Sequence, residues 1–214
     1  MAESISKENI KRYEKLKEVG KKIVRQAAKR IKGVKISERI VSYYEPHAKA
    51  LPKGKIGKPC EFGAKLSLNM SANGYITDHM LYDSNIADIA TLKETLNKHA
   101  QTFGKDFSGA AADRAYYDED LISVLEKKHK IALAIPHKKS RSAKMGKDRQ
   151  ELYNKRSAIE AKISEAKRMY GLNKSYCKDF EGDRMWASLS IMAVNIRKLL
   201  RDMAKNPELM LRFT

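Results

Sequence analysis

The chain has 214 residues, 42% of them hydrophobic, and a formal net charge of +18 from 44 Lys and Arg against 26 Asp and Glu. That suffices for one domain with a real core, or a domain plus an arm, and no apolar run approaches the ~18 residues of a membrane span. The opening segment does not read as a signal peptide, and two lone cysteines, Cys60 and Cys177, exclude a disulfide scaffold or a Cys-ligated zinc site and suit a reducing cytosol.

Residues 5–32 read as a helix, with Ile10, Tyr13, Leu16, Val19, Ile23 and Ala27 at spacings of three and four and Gly33 as its stop. Residues 33–60 lack periodicity and carry Pro46, Pro52, Gly54, Gly57 and Pro59, which predicts an extended arm. Its stretch 53–58 suits either a backbone lying against phosphates or a flexible basic linker. The period then switches to two. Phe62, Ala64, Leu66, Leu68 and Met70 alternate with smaller or polar residues as in a half-buried strand, and Asn73-Gly74 turns the chain into a second strand over 75–82. Asp88 is placed to cap a helix with Ile89, Leu92, Leu96 and Phe103 on one face, ending at Gly104.

Residues 107–112 are small and apolar. A helix at 119–130 follows, and then Ile131–Ile135, closed by Pro136. Strand, helix and strand of these lengths predict a βαβ unit with parallel strands. A basic loop over 137–148 contains Lys138, Lys139, Arg141, Lys144 and Lys147, and a long helix follows over about 149–170. Met185, Leu189, Met192, Ile196, Leu199 and Met203 mark a last amphipathic helix, whose methionines, with Trp186, are most simply core. The expected class is α/β, with a mixed sheet in the ribonuclease H-like order but without that order's first strand. Predicted organisation is a basic helix and arm over 1–58, the sheet domain over 59–205 and a tail over 206–214.

Charge is uneven along the chain. Residues 1–60 net +11, residues 61–137 net −3 and residues 138–214 net +10. Basic flanks point to a polyanion, because each Lys or Arg set on a phosphate releases counterions.

Two carboxylates stand out. Asp113 follows the first parallel strand directly, and ligand sites of open α/β sheets gather at such strand ends. There it can hold a hard cation or cap the following turn. On the long helix, Tyr153, Arg156, Glu160 and Lys167 share one face at spacings of three, four and seven, beside the apolar stripe of Leu152, Ile159, Ile163, Ala166 and Tyr170. Taken alone that face reads first as an ordinary run of solvated charge pairs.

Tyr153, Arg156, Glu160 and Lys167 together resemble the Y-R-E-K signature of insertion-sequence DDE transposases, in which the Glu is the third catalytic carboxylate. Ala111-Ala-Asp113-Arg-Ala-Tyr116 is similar to that family's block around the second carboxylate, with Ala115 where a Gly is common. The run from Gly54 to Gly63 resembles its G-K-x-x-K-P-x-E-F-G stretch, and Glu181-Gly-Asp183 with Asn195–Leu200 resembles its C-terminal helix. The resemblance implies DNA strand cleavage and strand transfer at insertion-sequence ends, with Asp113 and Glu160 as catalytic metal ligands for two Mg²⁺ or Mn²⁺ ions. Tyr153, Arg156, Lys167, Lys138, Lys139 and Arg141 would meet DNA.

Implied partners are double-stranded DNA (element ends and target), a second copy of the chain in a homodimer, and an upstream transposase segment; no membrane is expected, and the location is cytoplasmic at the nucleoid. The first catalytic Asp of the family has no counterpart in context, since Asp78 falls within a strand and Asp88 at a helix start. The chain therefore reads as the C-terminal part of a transposase, truncated or expressed by frameshifting, and inactive by itself. The alternatives are a non-catalytic DNA-binding remnant or regulator, and an unrelated RNA-binding protein. Asp113 and Glu160 are expected on neighbouring elements, facing one cleft.

Overall fold

The computed structural model describes residues 2–37, 39–55, 58–84, 86–104, 107–138, 145–206 and 208. The chain is a mixed α/β protein, and among the described residues its strands form three two-stranded pairs. It divides into two compact units, one of residues 1–65, 81–85 and 178–182, the other of the remainder.

In the first unit, helix α1 spans Ala2–Ile31 and Gly33 follows it at φ 73°, the left-handed turn that frees a helix C-terminus. Val19 is buried, while Ile10, Tyr13 and Val24 stay exposed. Gln26 holds the segment after the helix: its Nε2 donates to the Ile40 carbonyl at 3.2 Å and its Oε1 accepts from the Ile40 amide at 2.7 Å. The arm expected over 33–60 is partly sheet. Strand β1 (Lys49–Lys55) pairs antiparallel with β2 (Lys58–Gly63), with Pro52 opposite Cys60 and the register shifting between Pro52 and Lys55. Pro52 costs little here, because every strand of a two-stranded pair is an edge and needs only half its amides.

In the second unit, β3 (Lys65–Met70) and β4 (Ile76–Tyr82) form the expected hairpin. The single strand expected over 62–70 is instead divided at Gly63, where φ is 150°. At the turn only Gly74 takes positive φ (82°); the Gly74 amide donates to the Ser71 carbonyl at 2.9 Å, so Asn73 stays at negative φ. Helix α2 (Asp88–Phe103) buries Thr91, Leu92 and Leu96. Asp88 is its first residue and not its cap; the cap position is Ala87, without a side-chain bond, and Phe103 lies half exposed.

Strand β5 (Gly109–Ala111), helix α3 (Glu119–His129) and strand β6 (Ala132–Ala134) make the expected parallel βαβ unit, with Ala110 opposite Leu133. Asp118 caps α3 by accepting from the Leu121 amide at 2.9 Å. Leu92 and Leu96 of α2 pack with Ile122, Leu125, Ile131, Leu133 and Ile135 into one apolar core.

The long helix expected at 149–170 is two: α4 (Lys147–Lys155) and α5 (Ser157–Met169), joined at Arg156. The Arg156 amide bonds the Tyr153 carbonyl at 3.0 Å and the Ile159 amide bonds the Arg156 carbonyl at 3.1 Å, so the chain tightens to three-residue closure at the junction. α4 packs on β5 and β6. The approach is close at Gly109, where a Cβ would stand 2.7 Å from Leu152 Cδ2 and 2.9 Å from the Ala132 carbonyl oxygen. Only a residue without a side chain leaves room for Leu152 against that strand.

Helix α6 spans Asp179–Lys205, longer than its apolar spacing predicts. The face that packs is Ala187, Ser190, Ile191 and Val194, of which Ile191 and Val194 meet Ile76 and Ala166. Met185 and Met192 are 56% and 52% exposed, with Leu189 and Ile196 similar, so these methionines are not core. Ala187 and Ser190, small beside Ile191 and Val194, let α6 approach the end of α5 closely enough for polar closure. Ser190 Oγ donates to the Tyr170 carbonyl at 2.7 Å and Trp186 Nε1 to the Gly171 carbonyl at 2.8 Å, satisfying oxygens left over at the end of α5.

Candidate functional site

Asp113 stands one residue beyond β5, after Ala112, with an extended backbone and an exposed side chain. Its Oδ1 accepts from the Arg114 amide and so starts the short 3₁₀ turn Arg114–Tyr116. The capping role open to it in sequence is filled, and it takes one of the two carboxylate oxygens.

Facing it are residues of the α4–α5 junction. Arg156 ties three side chains together. Its Nη1 pairs with Glu160 Oε1 at 2.9 Å, and its guanidinium carbon lies 5.3 Å from the centre of the Tyr153 ring. Burial works against its charge, but Tyr153, Asp113 and Glu160 more than offset this and hold the guanidinium above its ordinary pKa. Asp113 and Glu160 thus act on one cation from two elements. Glu160 itself is 63% exposed, so its pair with Arg156 is worth little by itself and leaves its second oxygen open to solvent. Arg156 Nε, by contrast, is buried without a hydrogen-bond partner.

Behind this group lies a cavity of about 220 Å³. Leu66–Asn69 of β3 and Ala110–Asp113 at β5 line it, with Leu92, Leu96, Leu133, Ile135, Ile159, Ile163, Tyr116 and Arg156. Burial, first of all, raises the Tyr116 phenol above its ordinary pKa, and bonds to Thr91 and Ser67 work against that rise. Tyr116 is therefore a packed, hydrogen-bonded ring and not an exposed stacking surface.

Of the other residues singled out in sequence, Lys167 is exposed on α5 two turns beyond Glu160, and Lys138 is exposed just after β6. Lys139 and Arg141 lie outside the described residues. Asp78 pairs with Lys98 at 2.6 Å, which occupies it structurally. Among the described residues, no three or more His, Cys, Asp or Glu side chains gather where they could hold a metal ion.

Sequence periodicity missed Glu126 and Arg149. Glu126 accepts from the Leu133 amide at 2.7 Å, and Arg149 Nη1 donates to the Leu133 carbonyl at 3.1 Å while Arg149 pairs with Glu126 at 3.0 Å. They hold β6, and with it the wall of the cavity. Each reads in sequence as a charge on a helix surface, and no local pattern marks it.

Asp113, beyond a parallel strand, and Arg156, paired with Glu160 of α5, border one cavity of a mixed α/β domain. The chain belongs to the transposase DDE domain family, whose match covers residues 38–196, about three quarters of its length. Membership points to DNA transposition, with DNA as substrate, and DDE transposases as a class use divalent metals. No curated protein and no solved structure matches the chain. Among the described residues, no helix is long and apolar enough to cross a membrane.

Proposed function

We propose that this chain is a ribonuclease H-like catalytic segment that cuts and joins DNA strands at insertion-sequence ends, with Asp113 and Glu160 as two of its metal-binding carboxylates. The carrying observation is that Asp113, at the end of a parallel strand, borders one cavity with Arg156, which pairs with Glu160 of α5 at 2.9 Å. Both are exposed carboxylates with one oxygen uncommitted, and hard oxygen donors suit Mg²⁺ or Mn²⁺. When bound, a metal pair supplies an activated water or DNA 3′-hydroxyl and stabilises the leaving oxygen. Two carboxylates under-fill such a pair. The third is assigned to an upstream transposase segment, and the 214 residues by themselves are expected not to cut.

The chain's own residues do the rest. Arg156 orients Glu160. Arg156, Lys167 and Lys138 supply positive charge for DNA phosphates, with Tyr153 beside Arg156; Lys139 and Arg141, outside the described residues, keep the DNA-contact role the resemblance implies, and a homodimer would bring two element ends together. A second reading is a non-catalytic DNA-binding remnant or regulator, in which the same basic residues hold DNA without cutting it.

Duplex binding followed by fluorescence anisotropy against salt tests the shared part. With five or more phosphates neutralised, log affinity should fall with log salt at a slope of about −4 or steeper. Lys138→Ala or Lys167→Ala should each reduce the slope by about 1. A slope near zero would refute both readings. Mn²⁺-dependent cleavage of labelled element-end DNA then separates them. Cleavage restored by adding the upstream segment, and lost with Glu160→Gln, supports the enzyme; no cleavage in either condition supports the remnant.

A further inference from the structure

Helix α6 is apolar on two faces. Its inner face, Ala187, Ser190, Ile191 and Val194, is the one that packs. Met185, Leu189, Met192, Ile196, Leu199 and Met203 follow one another at spacings of four, three, four, three and four. At about 100° per residue they form one stripe, on the side of the helix opposite Ala187 and Val194. Met185, Leu189, Met192 and Ile196 are each about half exposed, and Leu200 beside the stripe is 61% exposed. None of the six belongs to either apolar core of the described residues.

The charged side chains of this stretch are held on the inner half of the helix, away from the stripe. Arg197 Nη1 donates to the Tyr170 hydroxyl at 3.3 Å, and Arg201 lies 3.8 Å from Glu165. Lys198 pairs with Asp202 at 2.7 Å, and Asp202 accepts from the Tyr75 hydroxyl at 2.7 Å. A chain that is 33% charged therefore leaves about 27 Å of helix surface without a charge. Exposed apolar surface of that extent marks a docking face.

Alternating steps of four and three are the spacing of a helix that packs along another helix. Two features make that other helix a second α6. The spacing reads the same in both directions, and so nearly do the residues: Met185 matches Met203, Leu189 matches Leu199, and Met192 matches Ile196 in size. Such a surface is self-complementary about a two-fold axis across the helix, which sets two copies antiparallel. Charge agrees with that direction. Residues 179–192 hold Asp179, Glu181 and Asp183 against Arg184, net −2, whereas residues 193–205 hold Arg197, Lys198, Arg201 and Lys205 against Asp202, net +3. Antiparallel copies set the acidic half along the basic half; parallel copies would set like along like.

We propose that two copies of this chain associate through α6, antiparallel about a two-fold axis at the level of Val194. Met185 then lies against the partner's Met203, Leu189 against the partner's Leu199 and Met192 against the partner's Ile196. Two stripes of this length bury less than about 1,200 Å², the low end for a specific complex, so the pair is reversible and dissociates at about micromolar concentration. The seam supplies an interface for the homodimer named above, but it rests on α6 alone, so failure of the cleavage or DNA-binding assays leaves it standing.

Sedimentation equilibrium of the full chain, freed of nucleic acid, tests it. Between about 1 and 100 μM the mass is expected to move from 24.4 kDa toward twice that value. Met192→Glu and Ile196→Lys, both at exposed positions, should each weaken self-association at least about tenfold, with the Tm of the dilute monomer unchanged. An equimolar mixture of the two variants should regain the dimer. Antiparallel register sets the new carboxylate of one chain on the new ammonium of the other and leaves Met192 on Ile196 at the second contact. A monomer at every concentration would overturn the proposal and leave the face to a different protein. Association that neither variant weakens would place the contact elsewhere and overturn it too. Weakening without recovery in the mixture would rule out the antiparallel seam. A monomer Tm lowered by more than about 4 °C in either variant would show that the chain's own residues cover the stripe, which equally overturns it.

Discussion

Glu126→Ala isolates the capped edge of β6. Leu133 is 2% exposed, so its amide has no water to turn to once the Glu126 carboxylate is gone. An unpaired buried amide costs roughly 1–3 kcal/mol. The ion pair with half-exposed Arg149 adds at most ~1 kcal/mol, because solvent screens it. The sum is about 1–4 kcal/mol, which for a chain of this size lowers Tm by about 2–15 °C. Glu126→Gln keeps an acceptor for Leu133 and should recover at least half of the loss. Urea unfolding followed by the single tryptophan, Trp186, and by far-ultraviolet circular dichroism measures both variants. A Glu126→Ala midpoint within about 0.5 kcal/mol of the parent, at unchanged m-value, would refute the assignment of Glu126 as the edge cap. A double-mutant cycle with Arg149→Ala should show coupling of about 0.5–1 kcal/mol, since both side chains serve the same residue.

Gly109→Ala should destabilise by about 1–3 kcal/mol, because the new Cβ meets a backbone oxygen that cannot rotate away as well as Leu152; a neutral result in the same unfolding assay would mean that α4 does not sit on β5 so closely. Asn195→Ala strips both backbone partners from buried Ile76 and should cost about 2–4 kcal/mol, with Asn195→Asp intermediate because it accepts but cannot donate. His79 is bonded to Ser188 at 2.7 Å, and burial, its largest influence, lowers its pKa below the ordinary 6.5. Its neutral form is the folded one, so its contribution is complete above pH 6.5, begins to fall as the unfolded chain takes up a proton there, and is gone once pH drops through the lower folded value. His79→Gln should flatten stability against pH between 7 and 5, and an unchanged slope would remove His79 as its source.

Sequence alone determined the local elements wherever one physical signal dominated. The period of two over Leu66, Leu68 and Met70 and the turn at Gly74 are local signals, because side-chain alternation and left-handed glycine are properties of the backbone itself, whereas the small-residue run before Asp113 reads as a strand only from the helix and strand that follow it. Spacing of three and four likewise placed Tyr153, Arg156 and Glu160 on one face, since helix geometry needs no neighbour to enforce it. What tertiary structure decided is which face packs. On α6 the methionine and leucine stripe is the larger apolar signal, yet Ala187, Ser190 and Val194 lie inside, because close approach and the carbonyls of Tyr170 and Gly171 set the interface. The helix over 149–170 breaks at Arg156, a residue with no helix-breaking character, where the chain must serve both β5 and the cavity. Glu126, Arg149 and Asn195 are surface-like letters in the sequence. Their work is done by pairing single backbone residues across long separations, and no local pattern encodes a partner that only folding brings within 3 Å.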